Sequence, residues 1–372
     1  MIKVFEPNIS FKNKISVINS LNKNYISGNS PVIEKFENKI AMKFDRKFCV
    51  AISNGTVALD IAIKSLNLPD KSEIVIPSFT IISCLSAVLR AGCKPVFCDV
   101  DLNSYNVTLE NIKKVVTRNT KAILLVHTYG LVGEVNKILD FCKQNNLMVI
   151  EDAAESHGIK VNGKACGSFG DISVLSFYAN KHITTGEGGA ILCDSEEKYN
   201  LIKRMINLDF TEPNRFNHEN FYWNYRMSGV QASLGISQVD ELDKTIKFKK
   251  LQGENYHFLL SDLSEFIQLP LKRINGVDNH YWVYGILLNK QFSRDKVRNF
   301  LFQKQIETRD FFWPLHLQKA YLNQYPNNLT SLPNSEYLGN FGFYIPIGKH
   351  VKFKDQKYIS TQVREAIIAS QL

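Results

Sequence analysis

At 372 residues the chain is long enough to bury a large core and to form two domains. Hydrophobic residues make up 44% and charged residues 22%, the balance of a water-soluble globular protein, and no apolar stretch reaches membrane-spanning length. Lys and Arg exceed Asp and Glu by 45 to 36, but the excess is scattered, with only short clusters such as Lys244 to Lys250, so it reads as solvated helix face and not as a nucleic-acid surface.

The first residues, Met1-Ile2-Lys3-Val4-Phe5-Glu6-Pro7, lack the tripartite pattern of a secretory signal, which predicts a cytoplasmic protein with no membrane partner. Residues 48–52 read as a strand, and Ser53-Asn54-Gly55-Thr56-Val57-Ala58-Leu59 as a turn entering a helix over 57–65. Residues 73–77, 95–98, 122–126 and 147–150 each read as a buried strand, and an apolar run over 171–177 as another. Between them lie segments of helical spacing, such as Ile138, Leu139, Phe141 and Cys142. Continuous apolar strands alternating with helices predict an α/β fold with a mostly parallel sheet covered on both faces, and in such sheets ligands bind outside the carboxyl ends of the strands. Further on, 231–258 reads as one long helix and 281–288 as an aromatic-rich strand; a helix carrying Val297, Phe300, Leu301 and Phe302 follows. A large domain over 1–242 and a smaller α/β domain over 243–372 are expected.

Seven cysteines, an odd number without a CxxC pair, read as buried free thiols. The eight histidines show no HExxH or clustered spacing, so no metal is expected.

The run Ser176-Phe177-Tyr178-Ala179-Asn180-Lys181-His182-Ile183-Thr184-Thr185-Gly186-Glu187-Gly188-Gly189 carries the most chemistry. A lysine follows a strand-ending serine and precedes three glycines, an arrangement suited to a Schiff-base lysine beside a phosphate-bearing cofactor. Asp152 ends the strand-like run Val149-Ile150-Glu151. Alone it reads as a helix cap; paired with such a lysine, it can keep a pyridine nitrogen protonated. Glu155 lies one helical turn later, either solvated or facing the same site. The Gly55-Thr56 turn offers N–H groups and a hydroxyl to a phosphate, though an ordinary helix start has the same sequence. Asn224-Tyr225-Arg226-Met227 reads as a packed loop, or as an anion anchor through Arg226.

Together these motifs, with Ser27-Gly28, Phe36-Glu37 and Glu151-Asp152-Ala153-Ala154-Glu155, resemble the DegT/DnrJ/EryC1/StrS family of sugar-nucleotide aminotransferases over nearly the whole chain. The resemblance implies fold type I of the enzymes dependent on pyridoxal 5'-phosphate (PLP). It makes Lys181 the Schiff-base lysine, Asp152 the partner of the pyridine nitrogen and Glu155 an acid near the ring oxygen. Gly55, Thr56 and Ser176 become phosphate contacts, and Asn224 a contact lent by the neighbouring subunit, which implies a homodimer with shared active sites. His182 is the neighbour of the lysine and not its replacement, which argues against the family's dehydratase branch. Ile81 stands where the family places an aromatic that stacks on the ring, leaving isoleucine or Phe79 for that task. Asn279-His280-Tyr281-Trp282 and Ile306-Glu307-Thr308-Arg309, with Pro314, His316 and Tyr321, resemble the branch that makes GDP-perosamine. That likeness implies amination at C4 of a nucleotide-linked 4-keto-6-deoxyhexose, with L-glutamate as donor and with Arg309 and His316 as sugar or diphosphate contacts. GDP is the expected nucleotide, with dTDP and UDP as alternatives and a non-catalytic sensor as the contrasting reading.

Overall fold

Short aliphatic runs build the central sheet. Its strands are β1 (Phe48–Ile52), β2 (Glu73–Pro77), β3 (Lys94–Cys98), β4 (Thr120–Val126), β5 (Met148–Asp152), β6 (Ile172–Ser176) and β7 (Gly189–Cys193). They lie in the order β1-β7-β6-β5-β4-β2-β3. Pairs among β3, β2, β4, β5 and β6 are parallel, whereas β7 runs antiparallel to both β6 and β1. The carboxyl ends of β1, β4, β5 and β6 therefore share one edge. This is the α/β, mostly parallel architecture that the sequence predicts; the antiparallel β7 is an addition. The computed structural model describes residues 1–213, 215–328 and 330–370.

Successive side chains of these strands enter different cores. Val75, Ile123, Leu125, Val149 and Leu175 face one side, and Ile76, Leu124, Ile150 and Val174 the other. Both faces are covered by helices: α1 (Pro31–Lys43), α2 (Gly55–Lys64), α3 (Ile82–Arg90), α4 (Val135–Gln144) and α5 (Gly229–Leu259). Helices α2 and α3 pack on the Ile76 side through Ala58, Ile61, Leu85 and Val88. Helices α1, α4 and α5 pack on the Val75 side through Phe36, Ile40, Ile138, Ala232 and Leu242. Phe36 is fully buried, and its truncation to alanine would cost about 3–5 kcal/mol. Helix α5 starts on a capping box: the Ser228 hydroxyl accepts the Gln231 N–H at 3.3 Å, and the Gln231 side chain accepts the Ser228 N–H at 3.0 Å.

A second sheet contains β8 (Ile267–Gln268), β9 (Tyr284–Leu288), β10 (Arg309–Asp310) and β11 (Gly342–Ile345), ordered β8-β9-β11-β10 with antiparallel neighbours. Helices α6 (Arg294–Gln303) and α7 (Phe353–Ala369) bury Val297, Leu301, Ile359 and Val363 in the core beside it. The N-terminus joins this unit, with the Ile2 N–H on the Gln305 carbonyl at 2.7 Å.

Two expectations about local structure are corrected. Strand β9 begins at Tyr284, because Tyr281 takes a left-handed φ of 48° and its N–H bonds the Asn279 side chain at 2.7 Å, breaking the extended run. Within the basic cluster on α5, Lys249 is not a solvated cation: its amine donates to the Trp282 carbonyl at 2.8 Å. All seven cysteines are buried as free thiols. Among the described residues, no helix is long and apolar enough to cross a membrane.

Candidate active site

A cavity of about 890 Å³ opens at the carboxyl edge of the first sheet, between that sheet and residues of the second unit. The strand ends determine what faces it. Asp152 closes β5, in register with Val126 of β4 and Val174 of β6, and all three line the cavity. Ser176 closes β6, and the loop after it carries Lys181 into the same space.

Across from Ser176, helix α2 begins at Gly55, two residues earlier than the sequence suggests. Asn54 caps it by accepting the Val57 N–H at 3.0 Å. A helix's first turn leaves N–H groups without intrahelical partners, and its end carries partial positive charge, so this terminus suits a phosphate. Gly55 is required by proximity: a Cβ there would lie 2.8 Å from the Ser176 Cβ. The Thr56 hydroxyl lies 2.7 Å from that of Ser83.

The ionisable centre is buried. Lys181 Nζ lies 3.5 Å from a Glu155 carboxylate oxygen, and the other Glu155 oxygen accepts the Tyr129 N–H at 2.7 Å. Burial lowers the Lys181 amine below the ordinary lysine range, while Glu155 and Asp152 oppose that shift. Burial pushes Glu155 up to about 7, against the pull of Lys181 and of the Tyr129 N–H. Asp152 is raised by burial too, opposed first by the Ala154 N–H at 3.0 Å and then by Lys181. Its second oxygen faces the Cys84 thiol at 3.6 Å. An amine with depressed basicity beside two carboxylates is suited to nucleophilic attack and proton transfer near neutral pH.

The structure thus brings Gly55, Thr56, Asp152, Glu155, Ser176, Lys181 and Arg309 to one cavity. Asn224 is exposed and lies outside this chain's own cavity. Arg226 also lies outside, hydrogen-bonded to Asn207. His316 is not brought to the cavity either: its ring is buried, with Nδ1 2.6 Å from the Ser78 hydroxyl and Nε2 3.3 Å from Glu336. His182 is buried behind the lysine, its Nε2 3.1 Å from the His280 carbonyl. Ile81 lines the cavity, whereas Phe79 is fully buried among Tyr105, Tyr129, Phe311 and Phe312 and cannot stand in for it.

Sequence reasoning missed Ser83, Cys84, Trp282, Phe312 and Tyr344 as parts of this site and its support. A hydroxyl at the second position of the helix that follows Pro77-Ser78-Phe79-Thr80 was the available signal for Ser83; the others reach the site only through tertiary packing. His127, Glu151 and Cys166 also converge, with ligand-type atoms within 4.8 Å of one another. Glu151 there already accepts the Gly167 and Phe169 N–H groups, each at 2.7 Å, and the Ser173 hydroxyl at 2.9 Å, and His127 Nε2 lies 2.9 Å from it, so its carboxylate is engaged in a buried hydrogen-bond network.

Known proteins share this arrangement of chain. The profile of the DegT/DnrJ/EryC1/StrS aminotransferase family matches residues 9–364. A GDP-perosamine synthase of Vibrio cholerae is 33% identical over 351 residues, covering 93% of this chain and 94% of its own. Its counterpart in Escherichia coli O157:H7 is also 33% identical, covering 98% of both chains. The crystal structure of the aminotransferase TlmJ from Streptoalloteichus hindustanus superposes with a TM-score of 0.92 at 25% identity, covering 99% of each chain. A buried amine beside one carboxylate, sharing with a second a cavity at the strand ends that a helix N-terminus also lines, suits a PLP-dependent transaminase, and the chain belongs to the DegT/DnrJ/EryC1/StrS aminotransferase family.

Proposed function

We propose that this enzyme moves an amino group from L-glutamate to C4 of a nucleotide-linked 4-keto-6-deoxyhexose, and that its substrate is GDP-4-keto-6-deoxymannose and its product GDP-perosamine. The observation that carries the chemistry is the Lys181 amine, 3.5 Å from Glu155 and lining the same cavity as Asp152 and the α2 N-terminus. Two GDP-perosamine synthases, each 33% identical over nearly the whole chain, support the choice of sugar.

PLP fits the residues present, and when bound it supplies a ring that withdraws electrons from the carbon losing a proton. The Gly55 and Thr56 N–H groups, the Thr56 and Ser176 hydroxyls and Asn224 from a second copy of the chain would hold its phosphate. Asp152 would meet the ring nitrogen and keep a proton there. Glu155 would approach the ring oxygen, and it already lies 3.5 Å from the Lys181 amine. Lys181 takes the proton from the donor's α-carbon and, in the second half of the cycle, delivers one to C4 of the sugar. Arg309 is set to meet the sugar or its diphosphate; its guanidinium is already ordered over the Phe5 ring, 4.6 Å from the centroid. The reading requires a homodimer, because Asn224 does not line the cavity of its own chain. Residues 1–242 are assigned to the cofactor-binding domain and 243–372 to the smaller one, with α5 running through that boundary and the first residues crossing to the smaller unit, and the enzyme is assigned to the cytoplasm.

Incubation of the purified protein with PLP, glutamate and a panel of GDP-, dTDP- and UDP-4-keto-6-deoxyhexoses tests this. The expected result is release of 2-oxoglutarate together with a GDP-linked 4-amino sugar, identified by mass spectrometry and NMR. Turnover of a 3-keto sugar alone would refute the C4 assignment, and preference for a dTDP- or UDP-sugar would refute the nucleotide.

A further inference from the structure

Three contacts converge on Trp282, which is 6% exposed. The Lys181 amine sits over its ring, 3.8 Å from the centroid. Its indole Nε1–H donates to the carbonyl of Asn180, the residue before that lysine, at 3.2 Å. Its own carbonyl accepts from Lys249 Nζ at 2.8 Å. Tyr129, whose N–H holds Glu155, packs against the ring at 5.8 Å between centroids.

We propose that Trp282, anchored from behind by Lys249, is a positioning residue for Lys181: the indole face holds the ammonium form of that amine at the cavity wall, while the indole N–H fixes the peptide from which the lysine springs. The proposal rests on the reading of Lys181 as the reactive amine.

The face of an indole is the negative end of its quadrupole, so a cation above it is stabilised, most strongly away from water. Lys181 needs that help. Burial works against its charged form, and each turnover must return it to a form that carries a proton. Glu155 and Asp152 attract it from the end of β5 and the turn beyond. His157, buried nearby, is held neutral, lowered to about 3 by burial and then by Lys181. Arg309 and Tyr344 line the same cavity. Lys249, on α5, is lowered to about 7 by burial and remains a donor to the Trp282 carbonyl whether charged or neutral. The carboxylates act with or without the indole, so its share can be measured separately.

The test is the titration of Lys181 in the PLP-free protein, followed by 13C NMR on lysine-labelled samples and assigned with Lys181→Arg. In Trp282→Leu the Lys181 pKa should fall by about one pH unit, and in Trp282→Phe, which keeps a weaker ring face, by less. A residue that merely filled space would admit water when truncated and let the amine rise toward its ordinary value. An unchanged or raised pKa in the leucine variant therefore overturns the proposal. If that variant does not fold, the phenylalanine variant decides: a fall supports the proposal and no change overturns it. Borohydride trapping of PLP on Lys181 in the wild-type protein checks the underlying reading independently. Its failure would remove the reactive amine without altering the titration result.

Discussion

The Lys181 amine and the Glu155 carboxylate face each other at 3.5 Å inside a wall where each side chain is 9% exposed. Burial works against charge on both, and their mutual attraction restores part of it. Glu155 is raised from 4.5 to about 7 in the folded chain. A carboxyl raised by folding contributes stability at pH values below its unfolded pKa and loses that contribution as pH climbs through the folded value. The PLP-free protein should accordingly lose stability between about pH 4.5 and 7 through this group. Comparing Tm against pH for wild type and Glu155→Gln isolates the effect: the variant should lack this downward component. Parallel curves would show that Glu155 does not titrate in that window.

Replacing Lys181 by alanine removes the group proposed to move the proton. Transamination should fall by at least about 10³-fold, within the range known for loss of a positioned acid–base group. Borohydride should no longer trap PLP on the protein. Retention of trapped cofactor on another lysine would reassign the site.

Gly55 touches Ser176 so closely that a methyl group must displace one of them, with the new Cβ 2.8 Å from Cβ and 3.2 Å from Oγ of the serine. Gly55→Ala should push the end of β6 away from the α2 N-terminus and weaken PLP binding by about tenfold or more, equivalent to about 1.4 kcal/mol. Titration of the PLP-free variant with PLP, read by absorbance, gives the Kd. Gly55→Ala with wild-type affinity would place the phosphate elsewhere.

The proposed homodimer with shared sites predicts complementation. Asn224→Ala and Lys181→Ala should each be impaired alone, one through the phosphate contact it is proposed to lend and the other through the proton it is proposed to move. Mixed by unfolding and refolding together, they should form heterodimers in which one of the two sites has every residue intact. Recovery toward about one quarter of wild-type activity is the statistical outcome for a dimer with shared sites. No recovery from a confirmed heterodimer would mean that Asn224 serves its own chain.

His316 supports the fold through Ser78 at 2.6 Å and Glu336 at 3.3 Å. Its replacement by alanine should cost about 1–3 kcal/mol, because a buried hydroxyl loses its partner. Chemical denaturation measures that loss, and the KM for the nucleotide sugar should stay within about twofold once the protein is folded. A large KM change without a stability change would make it a substrate contact.

The sheet was legible because β2, β4 and β5 are buried on both faces and therefore read as unbroken apolar runs. Asp152 and Ser176 were legible for a related reason: a polar residue ending such a run must emerge at the carboxyl edge. Strand β7 was hidden by the glycines before it, and nothing in a five-residue apolar run records its direction. Trp282 lies in a segment that reads as strand, but the Asn279 turn ends that pattern and swings the indole onto Lys181. His316 shows the converse. It falls in a segment that resembles the family's, yet its partners Ser78 and Glu336 come from distant stretches, and a resemblance in sequence does not say which way a ring faces.

Most of the groups placed to handle the proton and the phosphate come from residues 54–181, while Arg309, Phe312 and Tyr344 supply another part of the wall. On the proposed reading, substitutions in the later stretch can reshape the wall that meets the sugar while leaving Lys181, Glu155 and Asp152 in place.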